Sequence, residues 1–259
     1  MKKTKIFITV ITIITILAII GGLYIHVFRH TGFNLNPFKR EKNVKNTIAL
    51  EGEINTLDFN IDAADLEVKY GDEPSVSYDL PESLEPTIEL EDGKLYIKEK
   101  ENNFTFWGFN FNNNSDITVT LPTGTNLDNM KIESDAGNIN IQKITSDSAS
   151  LKTDSGNINL DEVTIEDCDT EADSGNIKVD SSTFDTFDST LDAGNIKLYD
   201  TTIDDIDIET DAGNVTAEDC NINTGDCKTD VGNINLDGDI GDVNTKTDVG
   251  NVKINGDRK

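Results

Sequence analysis

Seven aspartates recur at a nearly constant spacing along the second half of the 259-residue sequence. They are Asp135, Asp154, Asp173, Asp192, Asp211, Asp230 and Asp248. If each stands on its own coil of a repeat, neighbouring carboxylates lie about 5 Å apart and repel one another. A hard cation such as Ca²⁺ would relieve that repulsion, because it takes roughly six to eight oxygen ligands. Alternatively, each carboxylate accepts hydrogen bonds from turn amides and no metal is needed. No cofactor is therefore expected, and calcium is the one alternative that the column leaves open.

A glycine and an asparagine follow each aspartate in the repeated element Asp-[Ala/Ser/Val]-Gly-Asn-[Ile/Val]. The glycines are Gly137, Gly156, Gly175, Gly194, Gly213, Gly232 and Gly250. Because Gly accepts positive φ and Asp can bond its own backbone, the element predicts a turn at each glycine. The asparagines predict a ladder of side-chain amides; they are Asn138, Asn157, Asn176, Asn195, Asn214, Asn233 and Asn251.

The spacing of the element predicts the fold. Consecutive glycines are 19 residues apart, except for a final interval of 18, and such a fixed period is the signature of a solenoid. Apolar residues alternate around each glycine, as in Phe187, Leu191, Ile196 and Leu198 around Gly194. A period of 2 with β-branched residues indicates strands. We predict an all-β, single-stranded parallel β-helix with coils of about 19 residues and seven repeats over residues 128–259.

Outward positions and cysteines test this prediction. Stacked coils would place Lys152 between Glu133 and Glu171, and Glu209 beside Lys228, so that charges of opposite sign face each other. The spacing of the three cysteines matches no zinc or redox motif. Two of them fall on predicted inward positions, which favours small buried hydrophobic residues; the three are Cys168, Cys220 and Cys227.

Residues 47–127 are predicted to form a degenerate first coil followed by an irregular β insertion that caps one end of the solenoid. Aligning Ala64 with the repeat glycines puts Leu57, Phe59 and Leu66 on inward positions of that coil. The insertion contains four predicted strands, at residues 76–80, 87–90, 95–99 and 117–121. Solenoids need such terminal caps to cover their open ends.

An aromatic cluster lies within this insertion, and its rings are Phe104, Phe106, Trp107, Phe109 and Phe111. A hairpin turning at Gly108 would present the rings on one face. If that face is exposed, it is a contact for a partner or a membrane. If it folds over the open end of the solenoid, it is a plug for the core.

The N-terminus carries a membrane signal. The 23 residues 6–28 are uncharged, which is long enough for a helix to cross a bilayer core of about 30 Å. A cleaved signal peptide would end in an Ala-x-Ala-like site, which the run lacks. We therefore predict one transmembrane helix at 6–28, a cytoplasmic tail at 1–5 and a juxtamembrane linker at 29–46. The preceding lysines favour an inside N-terminus and an extracytoplasmic C-terminal body.

Charge and composition exclude several functions. The chain has 49 acidic and 22 basic residues, a net charge of −27, which argues against nucleic-acid binding because phosphates would be repelled. His26 and His30 are the only histidines, so the body lacks the imidazole of Ser-His-Asp catalysis and of histidine-built zinc sites. Arg258 is the only arginine after residue 40, which disfavours a polysaccharide lyase. No enzymatic activity is expected.

Three segments together resemble a known family. The anchor, the stretch "DFNIDAADLEVKYGDEPSVSY" and the stretch "ITVTLPTGTNLDNMKIESDAGNI" with its iterated "TDSGNI" units are similar to the LiaG-like "putative adhesin" domain of Gram-positive bacteria. The resemblance covers about residues 48–259. It implies a membrane-anchored envelope protein associated with cell-envelope stress, without an established activity, ligand or catalytic residue.

Three functions are consistent with these features. The first is a non-enzymatic extracytoplasmic binding or accessory module, whose partner is an envelope protein or a cell-wall polymer. The second is a scaffold that polymerises end to end through the open coils. The third, a polysaccharide-acting enzyme, fits the composition least well.

Overall fold

The computed structural model of the chain describes residues 42–100 and 115–256. Predictions for the tail, the anchor and most of the linker, and for the aromatic cluster, lie outside the described residues. Within the described ranges, no helix is long and apolar enough to cross a membrane. The described part is all-β, and its 17 strands form one continuous sheet.

The first seven strands build the N-terminal coil and its cap. They are β1 (Asn43–Ala49), β2 (Thr56–Ile61), β3 (Asp65–Gly71), β4 (Ser75–Pro81), β5 (Thr87–Glu91), β6 (Lys94–Lys98) and β7 (Asp116–Pro122), with a 3₁₀ turn at Glu82–Leu84. The remaining strands build the solenoid. They are β8 (Asn126–Ser134), β9 (Ile139–Gln142), β10 (Thr145–Ser155), β11 (Ile158–Asp161), β12 (Thr164–Asp180), β13 (Thr183–Tyr199), β14 (Thr202–Ala212), β15 (Val215–Val231), β16 (Ile234–Val249) and β17 (Val252–Gly256).

Successive coils stack in parallel and in register, which confirms the predicted solenoid. In β12 and β13, Gly175 lies opposite Gly194 and Ile177 opposite Ile196, an offset of one 19-residue coil. The last interval is one residue shorter because the register shifts between Ala217 and Cys220 where β15 pairs with β16. The irregular spacing of the final repeat is therefore a local β-bulge.

The coil around Ala64 pairs residue by residue with the coil that follows it. Leu57 lies opposite Met130 and Phe59 opposite Ile132 where β2 pairs with β8. On the other side of the corner, Leu66 of β3 lies opposite Ile139 of β9. The four strands predicted in the insertion also form, as β4, β5, β6 and β7.

The glycine column is required by backbone contact more than by turn conformation. Positive φ, the basis for predicting turns, occurs at only three of the seven glycines, with values of 149°, 149° and 159° at Gly175, Gly194 and Gly250. At the other four the reason was wrong, and through Gly175 and Gly194 the strands continue unbroken. At all seven, a Cβ atom would overlap the carbonyl oxygen of the corner residue one coil earlier, from Ala64 under Gly137 to Gly232 under Gly250. Only glycine lets the coils approach this closely.

A second corner follows five of the seven repeat glycines, Gly137 to Gly213, by six residues, and the sequence analysis missed it. Its residues share a left-handed backbone with φ between 47° and 60°, although none is glycine. They are Lys143, Glu162, Ser181, Asp200 and Asp219. This conformation costs roughly 1 kcal/mol per residue, and neighbouring coils offset it by backbone bonds such as Glu162 N–H to the Asp180 carbonyl at 3.0 Å.

The N-terminal cap ends the parallel stack by reversing strand direction. Strands β6 and β7 pair in parallel with the first coil, whereas β4 pairs antiparallel with β7, β5 with β6, and β1 with β4. Strand β1 starts at Asn43, inside the range predicted as linker. Its last five residues are exposed, so the strand shows no apolar alternation. Its position is fixed by polar contacts, including a Lys45–Asp79 ion pair at 2.6 Å.

Glu99 completes the cap beneath the first corner. Its side chain is 1% exposed, and its Oε2 accepts hydrogen bonds from the backbone N–H groups of Asp62, Ala63 and Ala64 at 2.8, 3.0 and 3.3 Å. In the next coil, the corresponding amides of Asp135 and Ala136 donate instead to carbonyls of the coil below. The Glu99 carboxylate therefore replaces the coil that the first corner lacks.

We predict that Gly213→Ala lowers the free energy of unfolding by about 1–3 kcal/mol, because the added methyl group forces two backbones apart. The φ of Gly213 is not positive, so contact alone produces the loss. Gly71→Ala is the control, since its methyl group meets only the end of the Thr120 side chain. Urea unfolding followed by circular dichroism should show a loss below about 1 kcal/mol for the control. Equal losses would contradict the close-approach explanation.

A second prediction concerns Glu99. Burial raises the pKa of its carboxyl above the ordinary 4.5, outweighing the amide bonds that lower it. The stabilising contribution of the protonated form is therefore lost as pH rises through that raised pKa. Relative to the parent, Glu99→Gln should gain stability between about pH 4 and pH 7, since a neutral amide does not titrate.

Glu99→Ala leaves three corner amides without an acceptor. Its free energy of unfolding should be about 1–3 kcal/mol lower than that of the parent at both about pH 4 and about pH 7. Thermal unfolding at each pH measures both variants. A Glu99→Gln difference that does not change with pH would contradict the assignment.

Candidate functional site

The predicted aspartate column lies at the glycine corner, and its seven side chains are exposed. The corner amides bond to neighbouring coils: Ser155 N–H donates to the Asp135 carbonyl at 2.9 Å and Gly156 N–H to the Ser174 carbonyl at 3.0 Å. Across residues 42–100 and 115–256, no group of three or more His, Cys, Asp or Glu side chains is arranged to hold a metal ion. The column is thus an open row of solvated carboxylates.

The asparagine ladder beside it forms as predicted. Each Oδ1 accepts two bonds from the asparagine of the next coil, one from its backbone N–H and one from its Nδ2. For Asn157 bonding to Asn138, these distances are 3.0 and 2.8 Å. Asp65 takes the first place in the ladder and accepts both bonds from Asn138, at 2.8 and 2.7 Å. The ladder reaches Asn251 in the last coil. It uses the side-chain amides to hold the corners in register.

A second aspartate column, which the sequence analysis did not identify, lies on the strand segment that precedes each glycine corner. Asp188 stands opposite Asp169 and Asp207 in the adjoining coils, and Asp207 opposite Asp226. Burial and then the charges of Asp207 and Asp169 raise the pKa of the Asp188 carboxyl. The signal was present in the repeat, because these four residues occupy the position six before each glycine.

Further acidic side chains flank this column where two consecutive residues of each coil are exposed or half-buried. Between the buried Ile165 and Cys168, for example, both Glu166 and Asp167 are exposed. We call the column and these flanking residues the acidic face; its members are Asp169, Asp188, Asp207, Asp226, Asp147, Glu166, Asp167, Asp185, Asp204 and Asp205. Like charges repeated at the strand spacing of about 4.8 Å produce a strongly negative strip that concentrates cations.

The predicted charge ladder is formed in part. Lys152 lies opposite both Glu133 and Glu171, and its Nζ is 2.7 Å from Glu171 Oε1. Glu133 pairs instead with Lys131 of its own strand, at 2.9 Å. Glu209 lies opposite Lys228 as expected. Exposed pairs of this kind stabilise by only about 0.2–1 kcal/mol, so they indicate register more than they hold it.

The three cysteines are buried thiols, as predicted for packing residues. Cys168 lies opposite Phe187, whose ring is tilted against that of Phe184 with the two ring centroids 5.0 Å apart. Burial raises the pKa of the Cys168 thiol, and it raises that of Cys227 to about 12. A thiol that stays protonated at neutral pH is a poor nucleophile and metal ligand.

We predict that calcium raises the melting temperature modestly at low salt and that the gain disappears near 150 mM NaCl. Exposed carboxylate columns attract an ion atmosphere, which is screened over a Debye length of about 8 Å at that salt concentration. Magnesium is the control and should act alike. A calcium-specific stabilisation that persists in salt would contradict the open-column description, and Asp173 and Asp192 would then be the ligands to mutate.

Two crystal structures share this fold. A "putative adhesin" from Bacteroides fragilis superposes with a TM-score of 0.53 at 16% identity, covering 83% of this chain and 98% of the other. A "putative adhesin" from Parabacteroides distasonis superposes with a TM-score of 0.53 at 16% identity, covering 83% of this chain and 97% of the other. The comparison with curated proteins finds no match. The Toastrack DUF4097 family model matches residues 54–258, and the chain therefore belongs to the Toastrack DUF4097 family.

Proposed function

We propose that the protein is a non-enzymatic binding module of the bacterial cell envelope, held at the membrane by residues 6–28 with its β body on the extracytoplasmic side. The sequence resemblance to LiaG-like domains and the uncharged N-terminal run support the location. The fold shared with proteins named adhesins is consistent with a binding role. We further propose that it acts as an accessory protein in the envelope stress response, on the sequence resemblance alone.

The acidic face is the observation that carries the binding role. Its carboxylates are mounted on strands that pair on both sides, so the spacing of the charges is set by the backbone and not by side-chain motion. Asp188 has acidic neighbours in both adjoining coils and a raised pKa. Such a row suits an extended partner with regularly spaced positive charges, either a polymer bearing amines or a basic protein segment.

The chemistry of the body favours binding over catalysis. Residues 128–259 hold 31 acidic and 10 basic residues and no histidine. A carboxylate on the acidic face therefore has no imidazole partner to exchange protons with at neutral pH. Head-to-tail polymerisation is less favoured. The cap reverses strand direction at the N-terminal end of the stack, so that end has no coil edge that matches the edge at the C-terminal end.

The test compares two sets of four neutralising substitutions in the full-length chain. One set replaces Asp169, Asp188, Asp207 and Asp226 by Asn; the control set replaces Asp173, Asp192, Asp211 and Asp230 by Asn on the glycine corner. Both remove the same charge from the same coils. Binding is measured by cosedimentation with isolated cell walls and with polylysine. We expect the first set to lower the affinity for both by at least about tenfold, and the second set to change it far less.

Equal losses in the two sets would mean that only net charge matters and would contradict a built acidic face. Location is tested separately, by adding protease to intact protoplasts. The β body should be digested there, and its protection would contradict the proposed orientation.

A further inference from the structure

The C-terminal end of the solenoid presents an unpaired strand edge. Within the described part of the chain, residues 240–249 of β16 pair only with β15 on one side, and β17 continues the stack only beside residues 234–238. In a parallel sheet, alternate residues of such a strand direct N–H and C=O groups towards the missing neighbour. Because Gly232 N–H donates to the Val249 carbonyl, Asn244, Lys246 and Asp248 are the residues whose backbone faces outward.

Apolar side chains become exposed at the same end. The position before the repeat glycine holds alanine in the coils of Gly194 and Gly213 but valine in the last two coils, where Val231 lies opposite Val249. Val231 and Val249 are 53% and 63% exposed, and Val252 is 41% exposed. Val243 and Ile254 pack only partly against the core. An open edge beside uncovered apolar residues is a surface that favours association.

The two ends of the molecule are not alike, and this restricts what can bind here. At the N-terminal end, β4 and β1 follow β7 in antiparallel order, and Glu99 occupies the corner amides. A copy approaching head to tail would meet that cap and no matching corner. Two C-terminal ends, in contrast, offer each other identical open edges, and a twofold axis between them makes the two strands antiparallel.

The charges on the edge distinguish two registers of such a pairing, centred on Lys246 or on Thr247. Lys246 and Asp248 are 72% and 60% exposed and form a 3.3 Å ion pair within the strand. Antiparallel pairing centred on Lys246 would put the two lysines face to face, which is destabilising. Centring on Thr247 puts each Lys246 opposite Asp248 of the second copy, so that the two intrachain pairs are exchanged for two pairs between the copies.

We propose that two copies of the chain associate through the open edges of their last coils, antiparallel about Thr247, to form a closed dimer. Each copy supplies the strand that the other lacks, and the cores meet end to end over Val243 and Ile254. The edge strand carries Asn244, opposite Asp226, at the position of the second aspartate column, so no carboxylate of that column lies on the contact strand itself. The contact closes on itself and produces no filament.

The experiment measures the mass of the full-length chain by sedimentation across protein concentrations, in detergent if the chain requires it. We expect a monomer–dimer equilibrium in the parent. Lys246→Asp and Asp248→Lys each place like charges opposite one another and should weaken dimerisation about tenfold or more. The double variant restores opposite charges and should restore the dimer. Lys197→Asp, an exposed mid-solenoid change of equal charge, is the control and should leave the dimer intact.

Circular dichroism melting checks that each variant is folded, and both substituted side chains are exposed, so folding should be preserved. As a second readout, hydrogen exchange at the amides of Asn244, Lys246 and Asp248 should slow as protein concentration rises. A parent that stays monomeric, that grows into filaments, or whose dimer responds equally to Lys197→Asp would overturn the proposal. Failure of the double variant to recover would do the same.

Discussion

The close approach of one backbone corner to the next is the contact on which the rest of the structure depends. At each corner the carbonyl oxygen of one coil occupies the space that a Cβ of the next coil would need. Glycine is therefore required every 19 residues, and slipping one coil by a single residue would place a side chain against that carbonyl. A sheet whose faces alternate already specifies register; the glycine column adds a steric penalty to every alternative.

A fixed register converts repeated residue types into continuous columns. The asparagine ladder is favourable because each amide finds its donor and acceptor in the same geometry one coil away. The same alignment brings Asp169, Asp188, Asp207 and Asp226 into a row that repels itself. Replacing one aspartate by asparagine would relieve that repulsion without changing the backbone. The binding role proposed for this face would use the negative potential that the repeated carboxylates maintain.

Much of the architecture could be predicted from periodicity, because the same residue pattern recurs in each coil of a solenoid. The alignment of Ala64 with the repeat glycines, without a Gly-Asn pair to mark it, succeeded because the alternating Leu57, Phe59 and Leu66 follow the same inward positions. The second corner could not be found in the same way. Lys143, Glu162, Ser181, Asp200 and Asp219 share a backbone conformation but no residue type, and the strain at each is imposed by the coils around it.

Contacts between distant segments were likewise beyond reach of the pattern. Glu99 resembles any other acidic residue at a strand end until the first corner is folded above it, when its carboxylate meets three amides from residues 62–64. Strand β1 is held by Lys45 and Asn43 against Asp79, and its exposed side chains leave no alternation to detect. The aspartate column of the acidic face could have been predicted, because it recurs at one position of the repeat. The sequence analysis considered only the aspartates next to glycine and therefore missed it.

The difference between the two ends follows from the same nearest-neighbour energetics. In a solenoid each coil is stabilised by the coil before it and the coil after it. The first coil has a substitute neighbour in β6, β7 and Glu99, whereas the last coil, within the described residues, has only one neighbour. Opening the last coil therefore costs less free energy than opening any other coil, and an added strand stabilises the last coil most. Any partner that supplies this strand stabilises the folded chain by mass action, so association at this end and stability of the final coil are thermodynamically linked.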